Sequence, residues 1–220
     1  TGLSISDDAS TIRGCHIFNN VEHGISIDTS ENEGNEPAGN PVIVIENCVI
    51  ENNGEQDTHY GLSMEQGTIT VRNTLIRGSA GPSVFITPSD QREIKAAFDH
   101  CDFYQSFSGT GVSTTATPSG SATVTITNSI LVDADGIVNE AGDLAQFDVS
   151  YCDVFVTGTP FLGDAITSAN ILKVDPGYVD PANGDFHLKA DSQLLTAGKD
   201  GTYMGSRGSL TQVESWMLLR

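Results

Sequence analysis

The chain has 220 residues, and its 29 acidic residues against 10 basic residues give a net charge of −19. This charge argues against nucleic acid and anionic membrane surfaces as partners, because both require a basic contact surface. Charged residues make up 18% of the chain and hydrophobic residues 38%, which excludes a disordered acidic tail. Uncharged apolar runs extend over only a few residues, so no membrane insertion is predicted.

A six-residue pattern recurs along the chain and is the strongest structural signal in the sequence. Its copies begin at residues 12, 45, 71, 98, 126 and 149, and they read IRGCHI, IENCVI, VRNTLI, FDHCDF, ITNSIL and VSYCDV. The first five copies are followed by second segments that read GISID, GLSME, SVFIT, GVSTT and GIVNE. The second segments alternate with a period of two residues, which is the signature of a β-strand.

This repeat predicts the fold class. No copy carries an apolar stripe long enough for a helix, so helical repeat architectures fit the sequence poorly. Several short strands per repeat, with variable turns between them, predict a parallel β-solenoid whose coils are stacked about 4.8 Å apart. Because parallel crossover connections are nearly always right-handed, we expect an all-β, right-handed parallel β-helix of about six coils with a C-terminal cap. Residues 1–157 are assigned to the coils, and residues 158–220 to the last coil and the capping segment.

Fixed columns within the repeat make this prediction specific. The third residue of each copy forms a turn column, in which Gly and Asn dominate because they tolerate left-handed backbone geometry. Its members are Gly14, Asn47, Asn73, His100, Asn128 and Tyr151. The outward residue before the turn alternates in charge over four coils, and opposite charges on neighbouring strands help to set the register. These four residues are Arg13, Glu46, Arg72 and Asp99.

The four cysteines occupy the column that follows the turn and are predicted to point inward. They allow three disulfide pairings, but only Cys15 and Cys48 fall on adjacent coils, where stacked parallel side chains have poor bonding geometry. Cys101 is two coils from its nearest cysteines, roughly 10 Å away, whereas a disulfide needs Cα atoms within about 7 Å. A vertical row also offers no convergent ligand set for zinc. We therefore expect four buried, reduced thiols.

The repeat columns and the C-terminal segment of the chain resemble those of a known family. Residues 10–157 resemble the right-handed parallel β-helix repeats of the pectin-lyase-like superfamily. Residues 174–188, VDPGYVDPANGDFHL, resemble the closing segment of many exported bacterial β-helix proteins, where a DPLFVDPANGDFHL stretch precedes a GSPAIDAG stretch. Here residues 191–198 read DSQLLTAG and lack the Pro and the Asp. The resemblance implies an extracellular or cell-surface bacterial protein whose carboxyl end caps the solenoid, and it leaves the activity open.

The outward positions of the second segments, with the residues beside them, form the candidate substrate-binding site. Asp28 and Glu65 fall at strand exits on adjacent coils, and Arg92 lies in the next loop. A carboxylate pair with a nearby base suits polysaccharide lyase or hydrolase chemistry. Phe85 is the best-placed aromatic platform for a glycan. The candidate residues are Ser26, Asp28, His59, Tyr60, Ser63, Glu65, Phe85 and Arg92. The alternative interpretation is a solvated polar edge on an acidic surface.

The sequence therefore predicts an extracellular β-helix that binds or processes polysaccharide and forms the C-terminal portion of a larger chain. An enzyme of this kind would be a polysaccharide lyase or a glycoside hydrolase, but no motif of either class matches here, so the catalytic residues stay unassigned. The alternative is a non-enzymatic stalk, adhesin or assembly subunit, with a viral tailspike-like fragment as a more distant alternative. We expect upstream coils or another subunit to cover the amino-terminal end.

Neither a cofactor nor a metal is predicted. Asp180, Asn183 and Asp185 keep calcium open as an alternative, because oxygen-bearing side chains cluster there. Turn chemistry explains the same residues without an ion, since Asn183-Gly184 between two apolar segments indicates a tight turn.

Overall fold

The computed structural model describes residues 1–5, 9–28, 40–88, 92–115 and 120–209. In these ranges the chain is mainly short β-strands, and each pass of the chain adds one strand to each of three parallel stacks. We call the stacks the first, second and third sheet, and one pass through them a coil. The predicted all-β parallel solenoid is confirmed.

The strands follow one another in strict rotation through the three sheets. The first sheet contains β1 (Leu3–Ile5), β4 (Ile25–Ile27), β7 (Leu62–Met64), β10 (Val84–Ile86), β13 (Thr110–Thr114), β16 (Asp135–Asn139) and β18 (Phe161–Leu162). The second sheet contains β2 (Ala9–Arg13), β5 (Val42–Glu46), β8 (Gly67–Arg72), β11 (Glu93–Asp99), β14 (Ser121–Thr127), β17 (Ala145–Val154) and β19 (Ile166–Leu172). The third sheet contains β3 (His16–Phe18), β6 (Val49–Glu51), β9 (Leu75–Arg77), β12 (Asp102–Tyr104) and β15 (Ile130–Val132), and is completed by the ends of β17 and β19. Coil 1 is thus β1–β3, coil 2 is β4–β6, coil 3 is β7–β9, coil 4 is β10–β12, coil 5 is β13–β15 and coil 6 is β16–β17.

The corner between the second and third sheets is made by one left-handed residue in every coil. All six members of the predicted turn column have φ between 49° and 64°. His100 and Tyr151 adopt this geometry although it is unfavourable for residues other than Gly and Asn. The ring of His100 is held by an Nδ1 contact of 3.0 Å to Asp99 Oδ1. The prediction that this column forms the turns is confirmed.

The interior of the solenoid is filled by inward apolar side chains stacked from coil to coil. In the first sheet, one such row is fully buried and pairs in register. Its members are Ile25, Leu62, Val84, Val112 and Ile137. Phe98 and Phe103 meet edge to face across the core, with ring centroids 5.5 Å apart. Each fully buried side chain of this size contributes about 1.5–3 kcal/mol to folding, so these rows dominate stability.

The charged column on the outside of the second sheet is organised around one carboxylate. Glu46 binds the Nε atom of Arg13 on one side and that of Arg72 on the other, the latter at 2.9 Å. Asp99, the fourth residue of the predicted alternation, instead accepts a hydrogen bond of 2.8 Å from Asn128 Nδ2 in the next coil. These contacts tie neighbouring coils together without forming a site.

The four cysteines form one vertical row of free thiols. Cys48, Cys101 and Cys152 are buried, and the Sγ atoms of Cys101 and Cys152 each lie 3.5 Å from a carbonyl oxygen of the preceding coil. Burial raises the pKa of Cys152 to about 12. Cys15 differs from the prediction because it is exposed, since coil 1 has a neighbouring coil on one side only.

Residues 173–209 lie along the outside of the third sheet. An antiparallel hairpin of β20 (Tyr178–Asp180) and β21 (Asp185–Leu188) closes through a 3-10 turn, Pro181–Asn183, and through Gly184 at φ 86°. The predicted tight turn is therefore confirmed. Further 3-10 turns are formed by Gly142–Leu144, Gln193–Leu195 and Lys199–Gly201. Among the described residues, no helix has the length and apolar character needed to cross a membrane.

The tail and the third sheet enclose a second hydrophobic core. Outward Leu75 and Ile130 are at most 3% exposed, and they pack with Phe186, Leu188 and Met204 of the tail. The sequence assigned this segment to a cap on the end of the solenoid. Its described part covers the side of the third sheet, where outward apolar residues such as Leu75 and Ile130 need cover.

Candidate functional site

The outward side of the first sheet carries most of the candidate residues, and we call it the first-sheet face. One outward residue per coil lines up in register along it, in the order Ser4, Ser26, Ser63, Phe85, Ser113, Val138 and Leu162. Ser26 and Ser63 are only 7% and 4% exposed, respectively. These serines therefore form the floor of the face, and the larger side chains beside them provide its accessible surface.

Three stacked rings, which we call the aromatic ladder, stand at the start of the strands of this face. Tyr60 stacks on Phe85 with centroids 4.2 Å apart and planes inclined by 21°. His23 stacks on the other side of Tyr60 at 5.1 Å and 13°. The rings come from coils 2, 3 and 4, so their surface follows the solenoid axis. Each ring immobilises the next, which leaves a preformed apolar strip on a polar surface.

Hydrogen bonding and burial keep His23 neutral within the ladder. The backbone N–H of Tyr60 donates to Nδ1 of His23 at 3.0 Å, so the ring proton is on Nε2. Burial lowers the pKa of His23, and the nearby His59 lowers it further. The His59 ring meets His23 edge to face at 5.5 Å. Nδ1 of His59 is buried and has no hydrogen-bond partner in the described part of the chain.

Carboxylates gather at the opposite end of the strands. Oδ2 of Asp28 accepts hydrogen bonds from the hydroxyls of Ser4 and Ser26, at 3.2 and 3.4 Å. The backbone N–H of Glu65 donates to the carbonyl of Ile27 at 2.8 Å, which places Glu65 one coil beyond Asp28. The two acids thus follow one another along the solenoid axis at the strand exits.

Arg92 is linked to the backbone of Asp28 through an intermediate side chain, Gln66. Nη1 of Arg92 donates to Oε1 of Gln66, and Nε2 of Gln66 donates to the carbonyl of Asp28 at 3.2 Å. Gln66 is only 2% exposed, so it acts as a buried link between three coils. The guanidinium is therefore fixed beside the acidic end of the face.

The eight candidate residues fall into two groups on this one face. His59, Tyr60 and Phe85 form or flank the aromatic ladder, and Asp28, Glu65 and Arg92 form the polar end. Ser26 and Ser63 lie between the two groups. The sequence reasoning missed His23 and Gln66 as parts of the site. The repeat did contain a signal for His23, because His23 precedes Gly24-Ile25 as Tyr60 precedes Gly61-Leu62.

The described residues contain no group of three or more His, Cys, Asp or Glu side chains placed to hold a metal ion. In the hairpin turn, Nδ2 of Asn183 donates to Asp180 at 2.7 Å, and Oδ1 of Asp185 accepts from the backbone N–H of His187 at 3.1 Å. These contacts give the three oxygen-bearing residues a role in the turn. The calcium alternative stays a prediction.

Comparisons with known proteins give information on the fold of the chain. A family model described as "Right handed beta helix region" matches residues 1–170. This range contains all six coils and ends within β19, before the tail begins. No curated protein and no solved structure gives a significant match.

Proposed function

Because the chain belongs to the right-handed β-helix family, we propose that it uses this scaffold to bind an extended polysaccharide along the first-sheet face. The proposal places the protein outside the cell or on its surface, where such polymers are found. The closing segment at residues 174–188 supports this location through its resemblance to exported bacterial proteins.

The aromatic ladder is the observation that carries the proposal. A sugar ring presents a flat apolar side of C–H groups, and an aromatic ring is a suitable stacking partner for it. The stacked rings of Tyr60 and Phe85 follow the solenoid axis from coil to coil. Because stacking covers the facing sides of neighbouring rings, a polymer aligned with this axis would contact the ring edges in turn, and a sugar could stack only on an outer face of the ladder. Its affinity would rise with the number of sugars bound.

The polar end of the face complements the ladder. Sugar hydroxyls are hydrogen-bond donors, and the carboxylates of Asp28 and Glu65 accept such bonds more strongly than neutral groups do. Arg92, held by Gln66, supplies a donor at the same end. A ligand that spans the strands of the first sheet would therefore place ring carbons on the ladder and hydroxyls on the acids.

Binding is tested with a glycan array and with affinity electrophoresis against neutral and uronic-acid polysaccharides. Tyr60→Ala and Phe85→Ala are expected to weaken binding about tenfold each, because each removes part of the apolar surface that the ladder offers to the sugar. Leu162→Ala is the matched control, since Leu162 lies in the same outward row but three coils beyond Phe85. If the native protein binds no polymer, the proposal fails and the alternative of a stalk, adhesin or assembly subunit takes its place.

Processing of the bound chain is a separate step and is tested separately. Lyase activity would appear as ultraviolet absorbance of a new double bond, and hydrolysis as new reducing ends. Glu65→Gln keeps the shape of the side chain and removes its charge, so it should abolish turnover while the polymer still binds. Turnover that persists in Glu65→Gln would exclude Glu65 as the catalytic acid or base.

A further inference from the structure

A groove on another side of the molecule lies between the turns after the third sheet and the tail hairpin. It has a volume of about 750 Å³ and is lined by Asn52, Arg77, Tyr104, Gln105, Phe107 and Pro181, among others. A hollow of about 430 Å³ borders it at Gln105, Ser106 and Phe107, and extends to Phe155 in coil 6. We call the two together the lateral groove. It shares no lining residue with the aromatic ladder.

Phe107 is an exposed aromatic ring on a fixed backbone. The residue is 80% exposed. Its backbone N–H donates to the carbonyl of Ser79 at 2.7 Å. The preceding residue, Ser106, is buried, and its backbone N–H donates a hydrogen bond to Oδ2 of Asp133 at 2.9 Å. The turn that carries the ring is therefore held at several points, so a ligand that stacks on Phe107 has little backbone to order.

Two side-chain amides with free hydrogen-bonding capacity line the same groove as this ring. Asn52 and Gln105 are exposed, and neither side chain hydrogen-bonds to another described residue. Each amide offers two donor hydrogens and one acceptor oxygen. Neighbouring sugar hydroxyls, which both donate and accept, match this combination. An aromatic platform and two amides in one groove therefore fit a sugar ring, with its C–H side on Phe107 and its hydroxyls on the amides.

The charges around the lateral groove favour a neutral ligand. Arg77 is committed to the protein, since its Nε donates to Glu51 Oε2 at 2.5 Å and its Nη1 to the carbonyl of Pro181 at 3.1 Å. Asp133 is likewise engaged by the N–H and hydroxyl of Ser106. The groove thus supplies no unpaired cation from the described residues, on a chain of net charge −19. An acidic polymer would meet repulsion without compensation.

We propose that the lateral groove is a second carbohydrate site, which binds a neutral oligosaccharide with one ring stacked on Phe107 and hydroxyl groups on Asn52 and Gln105. The site is separate from the first-sheet face and does not require binding there. The tail hairpin forms one wall of the groove through Pro181, so the site exists only where the tail is docked.

The test titrates the full chain with cello-, manno-, xylo- and malto-oligosaccharides, followed by calorimetry and by saturation-transfer NMR. We expect at least one of them to bind, Phe107→Ala to weaken it about tenfold, and Phe107→Trp to retain it. Gln105→Ala should weaken binding in the same direction. Phe18→Ala is the matched control, because Phe18 is a 50% exposed aromatic residue on the third sheet outside the groove.

The proposal is overturned if none of these sugars binds, or if Phe107→Ala binds as well as the native chain. Binding of oligogalacturonate with equal affinity would overturn the assignment to neutral sugars. The variant Tyr60→Ala separates this site from the first-sheet face. Retained oligosaccharide binding in Tyr60→Ala supports an independent lateral groove, and loss of binding there would assign the signal to the ladder and overturn the proposal.

Discussion

The phenol of Tyr178 donates a hydrogen bond of 2.5 Å to Oδ1 of Asp102, across 76 residues of sequence. The other carboxylate oxygen, Oδ2, accepts from the backbone N–H and the hydroxyl of Ser206, at 2.7 and 2.5 Å. Asp102 is fully buried on the third sheet, and burial raises the pKa of its carboxyl group. One buried acid thus holds two separate parts of the tail on coil 4.

Tyr178→Phe tests this attachment. The substitution leaves Oδ1 of Asp102 buried without its donor, and we expect the free energy of unfolding to fall by about 1–3 kcal/mol in urea titrations. Tyr203→Phe is the control. It removes a hydroxyl group from the same tail, and this hydroxyl forms no hydrogen bond with the described residues. Equal stabilities of the two variants would contradict a structural role for the Tyr178–Asp102 bond.

The buried carboxyl group of Asp153 should make the stability of the protein depend on pH in an unusual way. Its Oδ1 accepts from the N–H of Val174 at 3.0 Å, while its buried Oδ2 has no partner among the described residues, and burial raises the pKa to about 7. The folded protein therefore retains a proton that the unfolded chain loses near pH 4. This group's contribution to stability is complete below about pH 4, is lost as the pH rises to about 7, and amounts to at most roughly 4 kcal/mol.

Asp153→Asn removes the titrating proton while keeping the acceptor for Val174. We expect the variant to be more stable than the native chain at pH 8 and to show a flatter pH profile between pH 4 and pH 7 in thermal and urea unfolding. Asp148→Asn, an exposed change on the same strand, is the matched control. A variant profile parallel to the native one would show that Asp153 ionises normally.

The thiols should differ sharply in reactivity. Cys15 is exposed, whereas Cys48, Cys101 and Cys152 are buried, and burial raises the pKa of all three. Because the thiolate is the reactive form, we expect one thiol to react with a disulfide reagent in the native state and all four after denaturation without reductant. Cys15→Ser should remove the fast phase alone. Fewer than four thiols in the denatured protein would reveal a disulfide.

His23 should remain neutral to a lower pH than a free histidine. Its pKa is lowered from 6.5, mainly by burial, and protonation would end the hydrogen bond from Tyr60. The stability that neutral His23 contributes is present above pH 6.5 and is lost as the pH falls towards the lower folded-state pKa. An NMR titration of the imidazole should place the His23 midpoint below 6.5. A midpoint at or above that value would rule out a buried, neutral ladder.

The solenoid could be predicted because each coil repeats the same physical constraints. A residue such as Asn47 or Asn73 in the turn column signals a left-handed corner wherever the column occurs, and the structure has one at each. The position of the tail could not be predicted in the same way. Asp102 and Asp153 occupy outward positions in the repeat, where acids are normally solvated, and only the tail that packs over them makes them buried.

The part of the candidate site that could be predicted from the sequence is the part in which strand register alone brings residues together. Tyr60 and Phe85 lie on adjacent coils, so their contact follows from the alignment of the coils. Gln66 could not be inferred, because its role depends on side-chain direction at an irregular strand exit. The lateral groove was equally hidden, since Pro181 and Gln105 become neighbours only when the tail folds back.

A solenoid whose coils touch only their neighbours can fray one coil at a time from either end. Here the tail spans four of the six coils, from the bond between Arg77 and Pro181 in coil 3 to the bond between Asp153 and Val174 in coil 6. Opening a coil in that range therefore requires the tail to detach from several others. The tail thus acts as a longitudinal brace on coils 3 to 6, and we expect these coils to unfold together in a single cooperative transition.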